Sequence, residues 1–140
     1  MTKISIDYNH VWHDHPLTVA LFVDNQQLFI DNAGTDQVVE SEVDLSDGEH
    51  EVKLCITGKD FSSVLQEDGV TVKDSYILLN KIRLDDIIID FILNEEAKFY
   101  PDHPDAKAPV LEKITELGYN GEYRFKFATP AYEWLLEKLF

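Results

Sequence analysis

Apolar side chains in this chain recur at every second position, in short runs broken by turn signals, and this period constrains the fold more than any other feature of the sequence. A strand sends alternate side chains to opposite faces, whereas a helix repeats near 3.6 residues, so a chain alternating almost throughout must build sheets. Ile4, Ile6 and Tyr8 alternate with polar residues, and LTVALFV (17–23) is a longer apolar strand. LFI (28–30) follows the polar tetrapeptide DNQQ, which reads as a hairpin connection. QVVESEVDL (37–45) and EHEVKLCIT (49–57) flank SDG (46–48), where Asp47-Gly48 offers the positive φ of a tight hairpin, the most secure in the chain.

Farther on, GKDFSSVLQEDGV (58–70) has no sustained period and reads as a long loop, a kind of segment that tends to be functional. SYILLNKIRL (75–84) and IIIDFI (87–92) are separated only by Asp85-Asp86, which suggests one strand that turns or bulges at the acidic pair and continues. NEEAKFYPDHPDAKAP (94–109) is polar and proline-rich and reads as a connector. VLEKITEL (110–117) fits either a helical face or, with GYNG and EYRFKFA after it, a hairpin. At the end Thr129 can cap a short helix, with Pro130 at its first position and AYEWLLEKLF as its body. The expected fold is mainly β: an antiparallel jelly-roll-like β-sandwich with a short C-terminal α-helix. Residues 1–93 form its core, 94–109 a polar connector, and 110–140 a hairpin strand plus helix completing the same single domain, an extent that 140 residues can fill.

Charge narrows the partners. With 27 acidic and 12 basic residues the formal net charge is −15, and no Lys/Arg run forms a footprint for phosphates. Direct nucleic-acid binding and anionic membrane surfaces are disfavoured, while a cationic surface or a divalent metal would be attracted. The N-terminus lacks an apolar signal-peptide core and no segment approaches the ~20 apolar residues of a spanning helix, so synthesis and folding in the cytoplasm are expected. Cys55 is the single cysteine and reads as a structural thiol.

The histidine-rich HVWHDH (10–15) raises the question of a metal, but extended geometry would place only His13 and His15 on one face, and zinc needs three or four converging ligands. A polar inter-strand loop with Trp12 covering the sandwich end is the simpler reading. Calcium is the one cofactor the residues admit. DNAGTD offers Asp31, Asn32 and Asp36, and the 58–70 loop offers Asp60, Glu67 and Asp68, although neither has the spacing of an EF-hand. Catalysis has no support: G-x-S-x-G, P-loop and H-E-x-x-H are all absent, and carboxylate pairs such as Asp85-Asp86 arise by chance in so acidic a chain. Loop aromatics are the other functional feature of a sandwich, since a flat ring can stack on a sugar face. Trp12, Phe61 and Tyr76 are the candidates for glycan binding, with Phe99 and Tyr100 also near predicted loops. On the terminal helix Tyr132, Trp134, Leu135 and Phe140 are candidates for docking a partner.

Two resemblances follow. VALFVDNQQLF, DGEHEVKLCI and ILLNKIRLDDIIID resemble, in order and pattern, calcium-dependent xylan-binding modules and their β-sandwich relatives. Asp47, Gly48, His50 and Val52 match that family's D-G-x-H-x-V hairpin, and Asn80, Leu84, Asp85 and Asp86 sit where its late strand and acidic turn belong. This resemblance covers about half the chain without the family's full ligand set, and it implies a sandwich that binds sugar with calcium. The tail, LGYNGEYRFKFATPAYEWLLEKLF, is similar to endings of small structural proteins of marine tailed phages, through Asn120, Gly121, Thr129, Pro130, Tyr132, Trp134, Leu135 and Leu136.

Together these point to a non-enzymatic recognition or assembly protein, first a phage virion component of tail, fibre or capsid decoration, synthesised in the host cytoplasm and partnered by other virion proteins or by itself. The alternative is a carbohydrate-binding module with calcium-assisted recognition of a surface glycan. A third is an acidic decoy that occupies a nucleic-acid-binding protein.

Overall fold

The computed structural model describes residues 1–60, 65–68, 70–102 and 108–139. Its strands are β1 (Thr2–Val11), β2 (Thr18–Val23), β3 (Gln26–Asp31), β4 (Gln37–Val43), β5 (Gly48–Thr57), β6 (Leu65–Glu67), β7 (Val70–Lys73), β8 (Tyr76–Leu84), β9 (Ile87–Ile88), β10 (Lys98–Pro101), β11 (Leu111–Glu112), β12 (Glu116–Leu117) and β13 (Gly121–Thr129). Two helices, α1 (Asp90–Glu96) and α2 (Ala131–Leu139), complete the described residues. One sheet runs β12-β8-β1-β4, with β9 also paired to β8; the other runs β11-β10-β13-β5-β2-β3; β6 and β7 form a separate ribbon. The fold is thus a mainly β, antiparallel sandwich, as the period of two requires.

The alternating sets meet between the sheets. Ile4, Ile6 and Tyr8 of β1 and Ile77, Leu79, Ile82 and Leu84 of β8 face Val19, Leu21 and Val23 of β2, Val52, Leu54 and Ile56 of β5, and Tyr123, Phe125 and Phe127 of β13, in one buried cluster. α2 closes it with Ala131, Trp134 and Leu135, the Trp134 ring meeting Phe127 edge-on.

Several expectations need correction. Residues 37–45 and 49–57 do not form a hairpin, because β4 pairs with β1 in one sheet while β5 pairs with β2 and β13 in the other. Gly48 does adopt positive φ (127°), but the chain arches there from sheet to sheet, since both strands have an apolar face that must meet across the core. The two-residue hairpin lies instead at Asp24-Asn25, whose φ values are both positive and which joins β2 to β3. Asp85-Asp86 makes the same kind of turn, and only Ile87 and Ile88 pair back before α1 begins, so 87–92 is not a continuing strand. The polar stretch after residue 93 is part of the sandwich: β10 pairs with β13 and buries Phe99 completely, removing it from the candidate loop aromatics. Residues 110–117 form β11 and β12 in opposite sheets, not a helix. Thr129 does not cap α2; its hydroxyl donates to Ser46 O, and the Pro130 carbonyl receives the first helical N–H groups.

Candidate functional site

At one end of the sandwich the structure joins two pieces read separately in the sequence. The Trp12 indole N–H donates to Gly34 O at 3.0 Å, laying a half-exposed ring on the DNAGTD loop. Gly34 has φ +76°, and a Cβ there would stand 2.4 Å from Trp12 Nε1, so the contact needs glycine. Tyr76, half-buried, lies opposite Val11 at the same end. The loop carboxylates are used internally: Asp31 accepts from Ala33 N and the Gln37 amide, and Asp36 accepts from His10 N at 2.8 Å. Asn32 is exposed.

In HVWHDH, His10 and Val11 end β1, and the residues from His13 to His15 make a tight turn, not an extended run. Asp14 has φ 74°, and His15 N bonds His13 O. The imidazoles separate: His10 is buried with Nε2 accepting from Leu17 N, and His15 Nε2 lies 2.9 Å from Gly58 O. Because Nε2 is an acceptor, His10 carries its proton on Nδ1. Burial, partly opposed by Asp31 and Asp36, lowers its pKa. Of the second acidic loop, Asp60, Glu67 and Asp68 are exposed, the last in the β6–β7 turn; Phe61, like Phe140, lies outside the described residues. Among the described residues no three His, Cys, Asp or Glu side chains converge to hold a metal ion. Among the described residues the two acidic loops do not bring together the six to eight oxygens that calcium takes.

Where the sequence suggests a long loop the chain makes the β6–β7 ribbon, and the residues on either side of it are joined by a cluster that had no motif. Lys59 has its side chain 2% exposed, and its Nζ donates to Asp74 at 2.5 Å and to Ser75 O at 2.6 Å. Asn120 bonds both Lys59 N and Lys59 O, and Ser75 Oγ bonds His13 N.

The opposite end carries Asp24, His50 and Thr129, superficially a nucleophile, base and acid set. His50 Nδ1 donates to Asp24 and Nε2 to Ser46 O at 2.7 Å, with the Thr129 hydroxyl donating to the same carbonyl. Both ring nitrogens being donors, His50 has no lone pair left to take a proton from Thr129. Burial opposes the imidazolium, but the Asp24 and Ser46 contacts outweigh it and raise its pKa; burial likewise opposes the Asp24 carboxylate, and Glu51 N and His50 hold its pKa down. This explains the histidine of the D-G-x-H-x-V motif as a pin across β2, β5 and β13.

A third arrangement was invisible in the linear sequence. On the outer face of the six-stranded sheet Lys98, Arg124 and Lys53 are directly opposed in register across β10, β13 and β5, with Lys126 two residues along from Arg124. Four of the chain's 12 basic residues thus share one face. Each faces a carboxylate: Lys98 with Glu112, Arg124 with Glu122 at 2.9 Å, Lys53 with Glu51, and Lys126 with Glu49. The Arg124 guanidinium lies 4.3 Å from the centre of the half-buried Tyr100 ring. Two shallow depressions, about 320 and 410 Å³, share Tyr100 and Arg124; one reaches Glu51, Glu96 and Lys126, the other Cys55, Thr57, Asp102 and Asn120. From Glu51 to Thr57 along β5 this groove runs about 20 Å at the rise of an extended strand. In its floor the Cys55 thiol has its pKa raised, by burial first and then by Glu122.

The terminal helix reverses part of the docking expectation. Trp134 and Leu135 are buried in the chain's own core, whereas Tyr132, Leu136 and Leu139, at i, i+4 and i+7, are exposed.

The two antiparallel sheets and their order define a β-sandwich of the fold seen in carbohydrate-binding modules. Two solved structures of vCBM60 share it, each with a TM-score of 0.61 and 12% identity. One is vCBM60 in complex with galactobiose, matched over 88% of this chain and 96% of that one. The other is a SeMet form of vCBM60, described with the circular permutation that links two families of calcium-dependent carbohydrate-binding modules, and it matches 89% of this chain and 90% of that one. The likeness is one of fold. No protein-family profile matches the chain, and no curated protein matches it significantly in sequence.

Proposed function

We propose that the chain is a carbohydrate-binding sandwich whose binding face is the outer groove around Tyr100 and Arg124. The observation that carries this reading is the pairing of one half-exposed ring with alternating donors and acceptors along a single sheet face. A sugar presents C–H groups on its faces and hydroxyls that both donate and accept on its edges. Tyr100 offers an apolar plane for the first, and Arg124, Glu122, Lys98 and Glu51 match the second. Three cations directly opposed across strands cost stability, and local costs of that kind are expected where a surface is kept for binding. The fold shared with a module solved with galactobiose supports this over a virion role.

The test is a glycan array followed by calorimetry, each in EDTA and in calcium. Tyr100→Ala and Arg124→Ala should each weaken binding about tenfold or more, as loss of an anchor does. Unchanged affinity in both variants would overturn the site; loss in Trp12→Ala alone would move it to the Trp12 and DNAGTD corner. Binding lost in EDTA and restored by calcium would give the ion a part in recognition; equal binding in both would give it none.

The exposed stripe on α2 favours a second reading, an assembly component that docks by Tyr132, Leu136 and Leu139. A defined oligomer by light scattering, lost in Leu136→Glu, would support it.

A further inference from the structure

The outer groove leaves unexplained a cavity at the side of the sandwich, and we propose that it is a second binding site, for a neutral molecule whose apolar body is about the size of one aromatic ring. It stands independently of the glycan reading. The cavity arises because β8 is only partly covered on its outer edge. β12 pairs with Ile77 and Leu78, β9 pairs with Arg83 and Leu84, and residues 79–82 lie between. α1 and the 111–115 strap flank that gap.

The edge offers no place for a further strand, because its N–H groups are taken: Leu79 N donates to Thr115 O and Ile82 N to an Asp90 oxygen, both at 2.8 Å. What remains is a space of about 180 Å³ walled by Leu79, Ile82, Leu93, Ala97, Leu111 and Ile114. An apolar cavity of roughly 150 Å³ is enough to take benzene, so this one fits a single ring with little to spare. Tyr123 and Asp90, with Asn80, Asn94, Thr115, Lys81 and Lys113, add the polar part of the lining. Burial, and then the Asp90 charge, push the Tyr123 pKa up, so the phenol is a neutral donor across the physiological range. Asp90 offsets the lining cations Lys81 and Lys113, and the net charge of −15 disfavours an anion. The strap is tied to α1 by Lys113 and Glu95 at 3.5 Å, and Lys113 holds the left-handed φ of 57° that non-glycine residues seldom adopt.

Benzene is the probe. Titrated into the full labelled chain and followed by two-dimensional NMR, it should give saturable shifts confined to residues 79–82, 90–97 and 111–115, with a higher unfolding midpoint. Ala97→Leu, which fills the space, should abolish them; Leu111→Phe does the same from the strap if the first variant does not fold. Absence of saturable shifts in the natural chain, or equal shifts in a folded filled variant, would overturn the proposal. So would a doubled mass with the same residues shifted on concentration, since the occupant would then be a side chain of a second copy.

Discussion

His50 shows how one residue can carry a pattern's meaning. Its imidazole gives both N–H groups to acceptors, so the folded state prefers the charged ring and raises its pKa above the ordinary value near 6.5. A raised pKa means stability fully present below about pH 6.5 and lost as pH rises through the folded value, while the lowered Asp24 pKa adds stability above about pH 4 that acid removes. Urea unfolding at pH 5.5, 7 and 9 should therefore show the stability lead of the natural chain over His50→Gln shrinking as pH rises, the opposite contribution of His10, whose pKa is lowered, being common to both. Tyr8 gives the opposite lesson. Its hydroxyl is buried with no hydrogen-bond partner among the described residues, and burial, then Asp31, pushes its pKa up. Tyr8→Phe should leave stability unchanged or raise it by about 1 kcal/mol, whereas a loss of that size in denaturant titration would mean the hydroxyl is bonded. From the sequence His50 was visible only as part of a hairpin motif. Its true partners, Asp24 and Ser46, come from two different turns, and no local pattern announces them.

Elements were legible where a period persisted and lost where a boundary depended on what lay opposite. β1, β2, β5, β8 and β13 alternate for long enough to declare themselves. α1 did not, because IIIDFILNEE begins with three β-branched residues and turns helical only where Asp90 accepts from Ile82 N. The β4 to β5 connection was misread because Asp47-Gly48 satisfies a hairpin and an arch equally well. Helix α2 was placed correctly but its inner and outer faces were not, since either stripe is apolar. This makes a sharp contrast: Leu135→Ala should cost about 2–4 kcal/mol in chemical denaturation, while Leu136→Glu should cost almost nothing. The Lys59 anchor belongs at this scale too. Lys59→Ala strands Asp74 beside a loop that relied on the pair, and a loss of about 3 kcal/mol is expected in the same assay.

For the whole molecule the charge of −15 is a self-repulsion spread over a small surface, relieved locally on the groove face by four paired cations. Added salt should raise the unfolding midpoint, and variants that remove groove carboxylates should reduce that response. Both described helices are too short and too polar to cross a membrane. Little of the candidate groove was legible in the sequence because its residues, from β5, β10 and β13, are brought into register only by the pairing itself.

That pairing also governs the order in which the molecule can be built. β13 is the strand that unites β5-β2-β3 with β10-β11, and its partners in β5 precede it by between 65 and 81 positions, from Gly121 with Ile56 to Thr129 with Gly48. On the ribosome, β5 must wait with a ten-residue edge and an apolar face unpaired until residues 121–129 have emerged. Closure of this sheet is a late, long-range event, and a nascent chain halted before it presents the surface that chaperones hold and other chains can capture.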